Sequence, residues 1–158
     1  MDHEHREGQK CFFCDVGIEK LKTWEDEHFK KSGFYMHFVS GEHFINAHTH
    51  GFDRSWGHLD FQLIFPVSQK VVGSIFWSFA DRVKAGERFE AGTSVDEIIK
   101  DFPVRLSSAK EGGRDVLRVI LPDKNGKFPG DEGVDEVFGH QIDHVDEYDD
   151  SPPDPQLN

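Results

Sequence analysis

One apolar stripe does most to limit what this chain can become. Val72, Ile75, Phe76, Phe79 and Val83 recur at helical spacing, so they share one side of a helix running from about Ser68 to Lys84. Ser68 is suited to cap its N-terminus and Gly86 to stop its C-terminus. Such a stripe has to be buried against another layer. Runs on both sides of it read as strands: Phe34 to Val39, Phe44 to His50, Asp60 to Phe65, Pro103 to Ser108 and Val116 to Leu121. Gly41-Glu42 reads as a turn, residues 51–57 as a loop, and Gly112-Gly113 as the turn between the last two strands. Two further helices are expected, from Asp15 to Lys31 with Gly33 as its stop, and from Ser94 to Lys100. The pattern predicts an α+β fold: a single domain whose mainly antiparallel sheet packs against one long amphipathic helix, with an N-terminal helix beside it.

Fifteen Phe, three Trp and two Tyr supply the apolar surface for one core in 158 residues. The formal charge of −12 is unevenly spread. Ten acids and no Lys or Arg fall between Asp131 and Asn158, which leaves 18 basic against 20 acidic residues for the rest. A duplex nucleic-acid binder needs a basic face to displace counterions, so nucleic acid is not an expected partner. The domain is expected over residues 10–138, with a flexible N-terminus over 1–9 and an acidic, disordered tail over 139–158. The closing Asp-Asp-Ser-Pro-Pro-Asp-Pro run suits solvent, since proline lacks a donor and like charges repel. No window reaches the roughly 18 apolar residues of a membrane span, and the start of the chain lacks the basic and apolar stretches of a secretory signal. Two cysteines make no disulfide framework, and the expected compartment is the cytoplasm.

Chemistry has two places to sit. Cys11-Phe-Phe-Cys14 has the spacing of half a zinc site, because two thiolates so placed can bend round one ion. His3 and His5 lie just upstream as further donors. The first reading of the pair is structural or incidental, and the last is a bare redox couple.

The second place is Asn46-Ala-His48-Thr-His50, followed by His58-Leu-Asp60-Phe-Gln62. Alternation along a strand puts Asn46, His48 and His50 on one face, and the same reading groups His58, Asp60 and Gln62. If the strands pair, three imidazoles and a carboxylate converge, a set that suits zinc or non-haem iron. His37, alternating with Met36 and Phe38, extends the same polar face. The alternative is the wetter side of a half-exposed sheet, or a binding pocket without metal. H-E-x-x-H and H-x-x-E-H helices are absent, as are a G-x-x-x-x-G-K-S/T phosphate loop and a G-x-S-x-G nucleophile turn.

Several segments taken together resemble a bacterial family catalogued as a domain of unknown function (DUF4262-like). They are Cys11-Phe-Phe-Cys-Asp15, then His48-Thr-His-Gly-Phe52 with Gly57-His-Leu-Asp60 where the family carries Gly-His-Pro-Glu. Ala85-Gly-Glu-Arg-Phe-Glu-Ala-Gly92 and Pro122-Asp-Lys-Asn-Gly-Lys-Phe-Pro129 follow in the family's order. The resemblance covers about residues 11–135 and implies a bacterial-type cytosolic domain, without a reaction.

Two readings of function follow. One is a module that binds a small molecule or a protein through a histidine-rich sheet face. The other is a metal-dependent enzyme, a hydrolase or oxygenase using zinc or iron held by His48, His50, His58 and Asp60, with Cys11 and Cys14 as competing ligands.

Overall fold

The computed structural model describes residues 27, 30–40 and 44–142. Six strands form one sheet in the order β1-β2-β3-β6-β5-β4: β1 Tyr35–Ser40, β2 Ile45–His50, β3 Asp60–Phe65, β4 Ser94–Val95, β5 Val104–Glu111 and β6 Arg114–Ile120. All neighbours run antiparallel except β3 and β6, the central pair, which run parallel. A parallel pair cannot be joined by a hairpin. The chain between them carries the long helix α2, Gln69–Lys84, and the β4 and β5 strands.

The stripe on α2 is buried as its spacing requires, with Val72, Ile75, Phe76, Phe79 and Val83 packed on the sheet and joined by Ala80. Ser68 accepts a hydrogen bond from the Val71 amide at 3.2 Å, which satisfies one of the donors left open at the first turn. Arg82 and Lys84 occupy the last turn, where the helix dipole favours positive charge. On the sheet, Phe61, Leu63 and Phe65 of β3 meet this helix together with Leu117 and Val119 of β6. Phe61 stacks on Phe79 with ring centroids 4.4 Å apart. Every residue of β3 is buried, as expected of a central strand covered on both faces.

The β5–β6 turn at Gly112-Gly113 has φ of 55° and 81°, the double left-handed conformation that suits a two-residue hairpin. Three stretches differ from the sequence expectation. Residues 51–57 are not an open loop, because Phe52–Trp56 form a short helix, α1, between left-handed Gly51 and Gly57, and Phe52 is buried in the core. Residues 94–100 form no helix. Ser94 and Val95 pair with Arg105 and Val104, and Glu97 and Asp101 adopt left-handed φ, which helix geometry excludes. At the C-terminal end, a short helix α3 (Glu136–Gly139) runs into a 3-10 turn over His140–Ile142. Gln141, placed in the tail by charge and composition, is buried, and its amide bonds the Leu121 N–H and C=O, each at 2.7 Å. Cys11, Cys14 and most of the expected N-terminal helix lie outside the described residues.

Candidate metal centre on the sheet face away from the helix

Strand β2 places Asn46, His48 and His50 on the sheet face turned away from α2, while Ala47 points into the core. Register then supplies their neighbours. His37 of β1 stands opposite His48, Tyr35 opposite His50, and Gln62 of β3 opposite His48 on the other side. His37 Nδ1 and His48 Nε2 are 3.0 Å apart, and the ring of Tyr35 stacks on His50 at 5.0 Å. Each of His37, His48 and His50 offers a nitrogen within 4.8 Å of the other two.

Two members of the triad are held without charge. Burial pushes the His48 imidazole well below its usual pKa, and the rings of His50 and His37 and the guanidinium of Arg114 add to the effect. Burial likewise drives His50 down to about 2, with Arg114 and His37 contributing. Neutral imidazole is the form that binds metal. Three side chains of this face carry buried polar atoms without a hydrogen-bond partner among the described residues: His48 at Nδ1, His50 at Nε2 and Asn46 at both side-chain polar atoms. His48 is 2% exposed and Asn46 fully buried. Groups so buried are normally paired.

A polar network frames the triad. Arg118 donates from Nε to Gln62 at 2.9 Å and from Nη1 to the Gln141 carbonyl at 3.2 Å. Arg114 donates from Nη1 to Asp60 at 2.8 Å, from Nη2 to the Thr49 carbonyl at 2.7 Å and from Nε to Glu111 at 2.6 Å. Asp60 also accepts from the Thr49 hydroxyl at 2.7 Å and from the Phe52 amide at 3.1 Å. Burial raises its pKa, against Arg114, Thr49 and Phe52, which pull it down. Both its oxygens are engaged, as befits an anion that anchors the start of β3.

His58 is elsewhere. Its ring stacks on Phe61 at 5.5 Å and meets Phe89 at 6.0 Å. Nδ1 donates to the Leu59 carbonyl at 2.8 Å and Nε2 accepts from the Phe89 amide at 3.0 Å. With both nitrogens used and its ring among phenylalanines, His58 pins the loop after α2 and does not join His48 and His50. Strand alternation misassigned it because β3 begins at Asp60, two residues later. Glu111 is a neighbour of the triad that sequence reasoning missed, with Oε1 3.4 Å from His48 Nε2. The turn Glu111-Gly-Gly-Arg114 sets Glu111 opposite Arg114, but no signal in the sequence pointed from Glu111 to His48.

An apolar cavity of about 480 Å³, with Phe44, Ile64, Phe65, Pro66 and Val137 in its wall, lies at the far end of β2 and β3. Among the described residues no helix is long and apolar enough to cross a membrane.

The chain belongs to the family described as a domain of unknown function (DUF4262), whose model matches residues 28–135. That span includes His37, His48, His50, Glu111 and Arg114, whereas Cys11 and Cys14 fall before it. No curated protein and no solved structure gives a significant match.

Proposed function

We propose that the domain binds one divalent transition-metal ion, zinc or iron, on its histidine-rich sheet face through His37, His48 and His50. The observation that carries this reading is the convergence of three imidazoles whose donor nitrogens lie within 4.8 Å of one another, two of them held neutral by burial. Zinc takes imidazole nitrogen at about 2.0–2.1 Å, and in catalytic sites three protein ligands leave a position for water or substrate. An ion so held would polarise a substrate oxygen or activate bound water, which is hydrolase or oxygenase chemistry. His58 and Asp60 act here as supports and not as ligands. Two cysteines and a strongly acidic charge suit a cytoplasmic protein.

Elemental analysis of protein purified without a histidine tag tests this directly. The expected result is close to one zinc or iron per chain, lost in His48→Ala. Trace metal in the unaltered protein, unchanged by added zinc, would end the reading. A metal-free binding face is the second reading, and one observation favours it: the buried amide of Asn46 has neither donor nor acceptor. Asn46 faces Ile64 across the β2–β3 ladder, and Ile64 lines the apolar cavity. A small amide or acid with an apolar group matches that pairing of features.

A further inference from the structure

Resting on the metal reading above, we propose that Glu111 supplies the fourth protein donor to the ion, through Oε1, making a site of three imidazoles and one carboxylate. Two contacts meet at one atom. His48 Nε2 lies 3.0 Å from His37 Nδ1 and 3.4 Å from Glu111 Oε1. Donor atoms sharing a tetrahedral ion at about 2.0–2.1 Å sit about 3.3 Å from each other, close to the separation that Glu111 Oε1 keeps from His48 Nε2. The three imidazoles form the group whose donor atoms all lie within 4.8 Å of one another, so the carboxylate joins the ion from the His48 side. In the absence of an ion, a single proton on His48 Nε2 serves only one of the two neighbouring acceptors. A cation at that point satisfies all three atoms together.

The rest of the carboxylate is built to stay in place. Glu111 Oε2 is held by Arg114 Nε at 2.6 Å, so Oε1 is the oxygen left to face the imidazoles. Arg114 is fixed in turn by Asp60 and by the Thr49 carbonyl. A ligand oriented through its second atom by a hydrogen-bonded partner is the usual outer arrangement of a metal site. Asp60 offsets the charge of Arg114, so Glu111 brings its own negative charge to the ion. Three imidazoles with one carboxylate suit zinc(II), iron(II) or manganese(II) and disfavour copper(I), which prefers softer donors. An octahedral ion would keep two positions for outside ligands.

Cobalt(II) alone is the probe, because its visible bands report coordination number and donor set. The unaltered chain, Glu111→Gln and Glu111→Ala are titrated with cobalt, then with competing zinc, and the metal-free proteins are melted in parallel. Expected are one cobalt per chain in the unaltered protein, affinity weakened at least about tenfold in both variants, and altered band positions or intensities. Glu111→Gln keeps the side-chain volume, so a shared melting temperature with the unaltered chain excludes misfolding as the cause. Unchanged affinity and an unchanged spectrum in both variants would overturn the role of Glu111 while leaving the three-histidine site intact. If the unaltered chain binds neither cobalt nor zinc, the metal centre itself falls, and Glu111 with it.

Discussion

His37 stands directly opposite His48 across the β1–β2 ladder, and their facing nitrogens are 3.0 Å apart. The antiparallel register makes the pair, so it is as secure as the sheet. His58, eight residues beyond His50, has both nitrogens engaged in a different part of the molecule. The two histidines should therefore fail in opposite ways when removed. His37→Ala is expected to weaken zinc binding strongly while leaving the metal-free melting temperature nearly unchanged. His58→Ala is expected to keep metal binding and to lose about 1–3 kcal/mol of stability, because the buried Phe89 amide loses its acceptor and the ring stack disappears. Zinc titration and denaturant unfolding on both variants check this, and the reverse pattern would show that the assignments are exchanged.

Phe76 lies in the middle of the α2 stripe, fully buried, whereas Asp81 is exposed on the other side. Phe76→Ala should cost about 3–5 kcal/mol through lost burial and the cavity left behind. Asp81→Ala should change stability by less than about 0.5 kcal/mol. Chemical denaturation of the two variants measures the contrast, and similar losses would mean that α2 packs by another face.

What the sequence disclosed and what it hid follow from how far each signal reaches. The α2 stripe and the β2 alternation are local patterns, repeated within a few residues, and both translate directly into the buried and polar faces seen. Val95 shows the opposite case. Its segment has helix-compatible residues, but pairing with Val104 and the left-handed turns at Glu97 and Asp101 decide its conformation. Gln141 carries no local sign of burial, and its role comes from two backbone groups of Leu121, 20 residues away in sequence. The candidate site divides along the same line. His48 and His50 were legible as a strand pair, and His37 as their extension. The Glu111 contact depends on the β5–β6 hairpin reaching across to β2, which no pattern in either segment reports.

The pH dependence of metal-free stability should carry the mark of the triad. His48 and His50 have folded-state pKa values lowered by burial, the latter to about 2, against an ordinary 6.5. Below pH 6.5 the unfolded chain takes up protons that these buried rings refuse. Their contribution is thus fully present above about pH 6.5 and is lost as pH falls toward the folded-state values, at up to about 1.4 kcal/mol per pH unit for each group. Asp60 acts in the opposite sense, since its pKa, raised by burial, lets the folded state bind a proton before the unfolded chain does. Melting curves of metal-free protein between pH 7 and 5 should show a decline that His50→Gln makes shallower. Parallel curves for the two proteins would mean that the His50 ring is not held neutral by the fold.

Asn46 offers the sharpest contrast between stability and site. Its amide is fully buried and neither polar atom has a partner. Its cross-strand neighbours, Val39 on β1 and Ile64 on β3, are apolar. An amide removed from water and left unpaired costs about 1–3 kcal/mol, and an apolar group of similar size at the same place avoids that cost. Asn46→Leu should therefore stabilise the metal-free, ligand-free protein by about that amount, raising its melting temperature by roughly 2–10 °C for a domain of this size. A stabilising replacement beside His48 is what one expects where a residue is kept for binding at the expense of stability. The opposite result is equally informative. If Asn46→Leu lowers the melting temperature, the amide has a partner in solution that the fold has to retain, and the search for the ligand of this face begins with whatever bonds Asn46.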